Sequence, residues 1–112
     1  MKTPRLNRRL TLEAPQRVSD GAGGFEEAWV PLGVLWAELT ARAGREGQNA
    51  GVPVSMVPYR IVVRGAPEGH PERPVARQRL RDGNRVFHIR SVAEHDAAGR
   101  YLICAADEEV AV

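Results

Sequence analysis

Residues 81–92, RDGNRVFHIRSV, contain the clearest fold signal in the chain. The tripeptide DGN at 82–84 predicts a hairpin turn, because glycine and asparagine adopt the backbone angles that tight reversals need. The residues after the turn alternate between apolar and polar, which puts Phe87 and Ile89 on one face of a strand and His88 on the other. The stretch therefore predicts an antiparallel hairpin with one face in a core.

Similar short alternation, broken by glycine, proline and aspartate, extends in both directions and is typical of an all-β barrel or sandwich. Pro31 and Gly33 separate the second predicted strand from the third. Residues 41–53 have no sustained period, so a long flexible loop is expected between the third and fourth strands. We predict a small antiparallel β-barrel or sandwich of about six to seven strands in a single domain, 1–112. The predicted strands lie near residues 10–14, 25–30, 34–39, 59–64, 75–80, 86–89 and 101–106.

Charge and composition narrow the classes of function. The 16 Lys and Arg residues and 14 Asp and Glu residues give a net charge of only +2. They are interleaved along the chain, whereas a dedicated nucleic-acid binder normally has a dense basic patch. The N-terminal residues are polar and charged, and no run of 18 apolar residues occurs, so neither a signal peptide nor a membrane segment is expected. A lone cysteine, Cys104, cannot form an intramolecular disulfide.

Residues that could carry catalysis or bind a metal do not converge. His70, His88, His95 and Cys104 lack the short spacings of metal sites. Cys104 lies in an apolar strand, which suits a buried, unreactive thiol. The adjacent residues 94–96, EHD, could perform acid–base chemistry only inside a cleft, and an exposed turn is the simpler interpretation. We therefore predict no catalytic residue, no metal, no cofactor and no enzymatic activity.

Two expectations concern individual side chains. Trp29 and Trp36 are expected in the core more often than at a surface, although an exposed tryptophan would be an interface anchor. The acidic run at 107–109 is expected to be solvated.

Several short segments follow one another in a recognisable order: LTLEAP at 10–15, DGAGG at 20–24, Trp29, WAEL at 36–39, GRE at 44–46, YRIVVR at 59–64 and RDGNRVFHIRSV at 81–92. Their order and spacing resemble the head-tail joining family of long-tailed phages, which includes head-completion or stopper proteins and their gene transfer agent homologues. The resemblance covers about residues 6–109. After Glu46 the chain departs from the family pattern, because Gly47, Asn49 and Gly51 stand where a bulkier, more helical stretch is usual.

The resemblance implies a structural subunit of a virion or phage-like particle that assembles in the bacterial cytoplasm. The subunit would form a homo-oligomeric ring, a hexamer or dodecamer, below the portal or its adaptor. The ring would close the channel after packaging, touch the packaged double-stranded DNA non-specifically, and offer a surface to the tail terminator or other tail proteins. No membrane is involved.

Particular residues follow from this assignment. The 41–57 segment would project into the channel as a plug. The guanidinium group of an arginine can pair with a carboxylate across a subunit boundary or with phosphate. The alternative is that these arginines are ordinary solvated surface residues. The plug residues are Arg42, Gly44, Arg45, Glu46, Gln48 and Asn49, and the candidate contacts between subunits or rings are Arg60, Arg64, Arg90 and Trp29.

Two alternatives stay open. The chain could belong to another connector layer, either the tail terminator or the adaptor. It could also be a small-barrel nucleic-acid-binding module, which would need a basic groove with exposed aromatic side chains for base stacking. Aromatic residues make up only 5% of the chain.

Overall fold

The computed structural model describes residues 2–42, 45–49 and 52–111. Within these ranges, every pairing between strands is antiparallel. In the same ranges, no helix has the length and apolar character needed to cross a membrane. The strands are β1 (Arg8–Ser19), β2 (Phe25–Ala41), β3 (Arg45–Asn49), β4 (Val52–Arg64), β5 (Arg79–Asp82), β6 (Arg85–Glu94) and β7 (Tyr101–Ala111).

The sheet closes on itself. Its strand order is β2-β1-β5-β6-β7-β4-β3, and an additional pairing joins β2 to β4. Six strands therefore form a continuous circuit, while β3 lies outside it as an addition to β4. Closure pairs the strand edges that would otherwise attract other chains. The all-β prediction is confirmed, and the closed circuit fits the predicted small barrel.

One continuous strand, β2, replaces the second and third predicted strands. Leu12 pairs with Gly33 and Glu13 pairs with Pro31, so the register shifts at this point and Leu32 has no direct partner. A bulge of this kind tolerates a proline, which cannot donate a ladder hydrogen bond. Pro31 and Gly33 therefore mark an irregularity inside a strand instead of a break between two.

The 41–57 segment also differs from the expected loop. β3 pairs with residues 52–56 of β4, and residues 54–58 of β4 pair on their other side with residues 107–111 of β7. These three strand portions form an extension of the barrel, here called the arm. Backbone hydrogen bonds hold such a ladder without any apolar periodicity, which is why the glycine-rich sequence gave no strand signal.

The core lies inside the closed sheet. Phe87 from β6 is fully buried, and Tyr59 from β4 meets its ring edge-on with centroids 5.0 Å apart. Both core positions predicted from the hairpin, Phe87 and Ile89, are confirmed. Each fully buried large apolar side chain contributes about 1.5–3 kcal/mol relative to exposure. The buried cluster is Leu10, Leu12, Ala37, Ile61, Val63, Leu80, Phe87, Ile89, Leu102, Cys104 and Ala106.

The DGN turn between β5 and β6 forms as predicted. Asp82 pairs directly with Arg85, so Gly83 and Asn84 make a two-residue connection. Gly83 has φ of +60°, the left-handed region expected for glycine at the first position of a type II′ turn.

The expectation of a solvated acidic run is wrong for two of its residues. Asp107 and Glu108 belong to β7 and are only 9% and 7% exposed. The Nε of Arg90 lies 2.7 Å from Asp107, and Arg85 donates to both carboxylate oxygens of Glu108 at 2.8 and 3.0 Å. Buried carboxylates need such partners. The partners come from β6, at a distance in sequence that no local pattern reveals.

Candidate interaction surfaces

Three arginines from separate parts of the chain line one depression on the outside of the barrel. Arg42 follows β2, and its backbone N–H donates to Pro58 O at 2.8 Å. Arg60 belongs to β4, and Arg90 lies at the register shift of β6, where a bulge can re-aim a side chain. The depression encloses about 430 Å³ and is called the arginine pocket here. Its lining consists of Arg42, Pro58, Tyr59, Arg60, Arg90, Ile103, Cys104 and Ala105.

The arginine pocket has hydrogen-bond donors to spare. Arg90 is paired with Asp107. Arg60 contacts His95 through Nη2 and Nδ1 at 3.3 Å, while its Nε is buried without a partner. Neither Arg42 nor Arg60 has a carboxylate partner within the described part of the chain. Guanidinium groups bind carboxylate or phosphate through charge-assisted hydrogen bonds, so the pocket suits an anionic group.

Arg64, another of the predicted contact residues, lines a second depression that shares no lining residue with the arginine pocket. This groove encloses about 380 Å³ and includes Leu6, Val34 and Trp36 in its lining. Trp36 is 53% exposed, so the expectation that it lies in the core is wrong. Alternation along β2 turns the neighbouring Ala37 inward and Trp36 outward. Exposed large apolar side chains in a groove are typical of contact surfaces between proteins.

Trp29 is half-buried on the outer surface. The Arg79 guanidinium lies 4.2 Å from its ring centroid, and His88 meets the ring edge-on at 6.2 Å. Arg79 and Arg81 donate to the two carboxylate oxygens of Glu13 at 2.7 and 2.9 Å. Burial acts to raise the pKa of Glu13, but these two hydrogen bonds act in the opposite direction and leave the pKa lowered.

The predicted plug residues fall on the arm. Arg42 comes directly after β2, whereas Arg45, Glu46, Gln48 and Asn49 belong to β3. Gly44 lies outside the described residues. β3 is attached to the barrel only through β4 among the described residues, so these positions lie at the margin of the molecule.

The sequence predicts a reversal at residues 19–24, and β1 and β2 pair on either side of it, but sequence reasoning did not single out Phe25 at the tip of this hairpin as a surface residue. Beyond the pairing of Glu13 with Arg79, β1 continues to Ser19 with β2 as its partner. Phe25 at this tip is 62% exposed, and the Arg17 guanidinium lies 4.4 Å from its ring centroid. The missed signal was an aromatic residue directly after a glycine-rich turn and directly before two glutamates.

Residues that could have suggested catalysis have other roles. Cys104 is fully buried, and burial raises the pKa of its thiol to about 12. The Asp96 carboxylate accepts the Tyr101 backbone N–H at 3.0 Å, which helps to form the turn before β7. His70 Nδ1 accepts the backbone N–H of Glu72 at 3.1 Å. In the described ranges, no group of three or more histidine, cysteine, aspartate or glutamate side chains is arranged to hold a metal ion.

Comparisons with known proteins give similarities that cover nearly the whole chain. A family model described as phage head completion protein matches residues 1–109. A chain in a solved structure titled "Virion of native gene transfer agent (GTA) particle" is 50% identical, with a TM-score of 0.87. That similarity covers 98% of this chain and 100% of the other. Curated proteins give no significant match.

Proposed function

Because the chain belongs to the phage head completion protein family, we propose that it is a structural connector of a virion or gene transfer agent particle. In this role it forms a ring below the portal, closes the DNA channel after packaging and provides the surface to which the tail attaches. It acts as a stopper, has no catalytic activity and requires no cofactor. The observation that carries the proposal is the 50% identity, over 98% of this chain, to a chain of a gene transfer agent virion.

The shape of the subunit supports membership of a ring. Because six strands pair in a closed circuit, contacts between copies would be made by surface patches instead of free strand edges, and such contacts give a ring when the rotation between copies closes. The groove beside Trp36 supplies an apolar patch with a charged margin at Arg64. In the proposed assembly this groove faces a neighbouring ring, either the portal or adaptor on one side or the tail proteins on the other.

The arm supports the plug role. β3 lies outside the closed circuit, so the arm can enter a channel while the barrel stays in the ring wall. Arg45 is the first residue of β3. Arginines bind phosphates of any sequence, so a plug of this composition would contact packaged DNA without sequence preference.

A particle-level experiment tests the proposal. The gene is removed from the producing strain and restored either as wild type or with residues 44–51 deleted. Loss of the protein is expected to give heads that lack tails and release their DNA. The deletion is expected to restore tail joining while nuclease-resistant DNA stays low, because β3 is not part of the closed circuit.

A matched control keeps the length of the segment and replaces residues 46–49 with glycine and serine. This variant distinguishes a requirement for the length of the arm from a requirement for its particular side chains. Normal tailed, DNA-filled particles without the protein would refute the connector role. Loss of the folded barrel on deleting 44–51 would refute the plug role and make the segment structural.

The two remaining alternatives have distinct signatures. A tail terminator or adaptor would occupy a different layer in a reconstruction of the particle. A nucleic-acid-binding module would bind single-stranded oligonucleotides with steep salt dependence, using exposed aromatic residues such as Phe25 and Trp36 for stacking. The family assignment favours the head-completion layer over both.

A further inference from the structure

We infer that copies of this chain contact each other head to tail, with the tip of the β1–β2 hairpin of one copy seated in the arginine pocket of the next. The inference rests on the proposed ring and adds the residues that would build it. The occupant of the arginine pocket is a second copy of this chain.

The two surfaces lie at opposite ends of one strand. Phe25 is the first residue of β2, and Arg42 comes directly after its last residue, Ala41. β2 has 17 residues and is paired along its length, first with β1 and then with β4. An extended, paired strand cannot bring its two ends together. The tip therefore cannot fill the arginine pocket of its own copy, and a second copy can.

The charges of the two surfaces are opposite. The tip, residues 17–27, contains three carboxylates and one guanidinium. Glu26 and Glu27 are exposed and have no ion pair within the described residues. Asp20 organises the turn by accepting the backbone N–H groups of Ala22 and Gly24 at 2.8 and 3.0 Å. The two glutamates are thus free to pair with another molecule.

The arginine pocket carries the opposite charge to the tip. It presents three guanidinium groups, and one of them is already paired with Asp107. The donors of Arg42 and the buried Nε of Arg60 are the groups without an anionic partner in the part of the chain that the structure describes. Because adjacent residues of a strand point to opposite faces, Glu26 and Glu27 lie on the two sides of the tip, and the pair tested below joins Glu26 to the exposed Arg42. Complementary charges of this kind set the orientation of partners and suppress incorrect ones.

The apolar parts also match. Phe25 is the most exposed large hydrophobic residue described, and Arg17 holds its ring in place by stacking over it. Between the arginines, the pocket is lined by Pro58, Ile103 and Ala105. A large side chain that fills a pocket at the centre of a contact is typical of the energetically dominant positions of protein interfaces.

The geometry of the contact leads to a ring. Because tip and pocket are different surfaces, the interface is heterologous, and each copy keeps one free tip and one free pocket after it binds a neighbour. Such interfaces generate closed rings when the rotation between copies divides a full turn. The same contact, repeated, accounts for a closed connector without a second type of subunit interface.

Cross-linking of the purified full chain tests the contact directly. The native Cys104 is fully buried but lines the arginine pocket, so Cys104→Ala is included in every variant and leaves the introduced cysteines as the only thiols. Under mild oxidation, a mixture of the Glu26→Cys and Arg42→Cys variants is expected to form cross-linked dimers, and either variant alone is not. The double variant is expected to give a ladder that ends at the ring size. A Glu68→Cys and Arg42→Cys mixture is the matched control and is expected to stay monomeric.

Charge reversal in particles gives a second, independent test. Glu26→Arg or Arg42→Glu alone is expected to reduce ring incorporation at least tenfold, and the two changes together to restore most of it. Rescue requires that the two side chains meet, so it is not expected from a merely structural effect. Glu68→Arg is the control and is expected to leave incorporation unchanged.

Three outcomes would overturn the inference. The first is cross-linking no stronger in the Glu26→Cys and Arg42→Cys mixture than in the control. The second is an Arg42→Glu variant that forms normal rings and loses only DNA retention, which would assign the pocket to DNA phosphate. The third is cross-linking of the tip to portal or tail proteins instead of a second copy. If wild-type protein fails to join heads and tails, the proposed function fails, and the purified-chain experiment still decides the contact.

Discussion

Replacing Glu13 with glutamine removes the charge that joins β1 to β5. The Glu13 side chain is nearly buried, with 4% of the residue exposed, and it accepts hydrogen bonds from Arg79 and Arg81 at 2.7 and 2.9 Å. Glutamine has almost the same shape but offers one oxygen instead of two. Its amide NH2 would face a guanidinium that also donates, so one arginine loses its partner.

The expected loss in the free energy of unfolding follows from these two hydrogen bonds. A hydrogen bond to a charged group contributes about 1.5–3 kcal/mol. Arg79 is mostly shielded from solvent, but the Arg81 side chain is 40% exposed, which weakens its share of the interaction. We therefore expect Glu13→Gln to lower the free energy of unfolding by about 2 kcal/mol at pH 7.

The effect should depend on pH in a defined direction. The pKa of Glu13 is lowered in the folded protein. Its stabilising contribution is therefore complete above the pKa of an unfolded glutamate, about 4.3, and is lost as the pH falls through the lower folded value. The difference between wild type and Glu13→Gln should be constant from pH 7 to about 5 and shrink below about pH 4.

Urea unfolding at pH 7, 5, 4 and 3 measures this difference, with equal m-values for the two proteins as a check on comparable unfolding. Glu27→Gln, an exposed carboxylate without an ion pair in the described structure, is the control and should change stability by less than about 0.5 kcal/mol. An equal loss at pH 3 and pH 7, or no loss at pH 7, would refute the reasoning.

Three further predictions concern the buried residues Phe87 and Cys104 and the ion pair between Arg85 and Glu108. Phe87→Ala should lower the free energy of unfolding by about 3–5 kcal/mol in calorimetry, since Phe87 is fully buried, and a loss below about 1 kcal/mol would contradict its central packing. Glu108→Gln should cost about 1–2 kcal/mol and couple to Arg85→Met in a double-mutant cycle, whereas additive effects would show that the bidentate pair is unimportant. Cys104 should resist a thiol reagent at pH 8 in the native protein and react fully in denaturant, and rapid native labelling would contradict its burial.

The parts of the fold that could be predicted from sequence are those with local signals. The DGN turn and the Phe87/Ile89 alternation each depend on residues within a few positions of one another, and both are confirmed. The continuity of β2 could not be predicted, because Pro31 is tolerated only through a register shift set by β1. β3 could not be predicted either, since its ladder depends on backbone pairing with β4 and leaves no apolar pattern.

For the interaction surfaces, too, the sequence indicates individual residues but not how the fold brings them together. Arg42, Arg60 and Arg90 were each recognisable as arginines worth attention, but their meeting at one pocket depends on the closure of β2 onto β4 and on the β6 bulge. The buried pairs of Asp107 and Glu108 likewise depend on arginines of a neighbouring strand. An acidic run of this kind looks solvated until its partners are positioned by the fold.

The most direct test of the proposed role is a cryo-electron microscopy reconstruction of the head–tail junction in particles that carry this chain. The proposal predicts a ring of six-stranded barrels between the portal and the tail, with the arms directed towards the channel axis. Density for the barrel at another site in the particle, or a junction that is complete without it, would contradict the proposal.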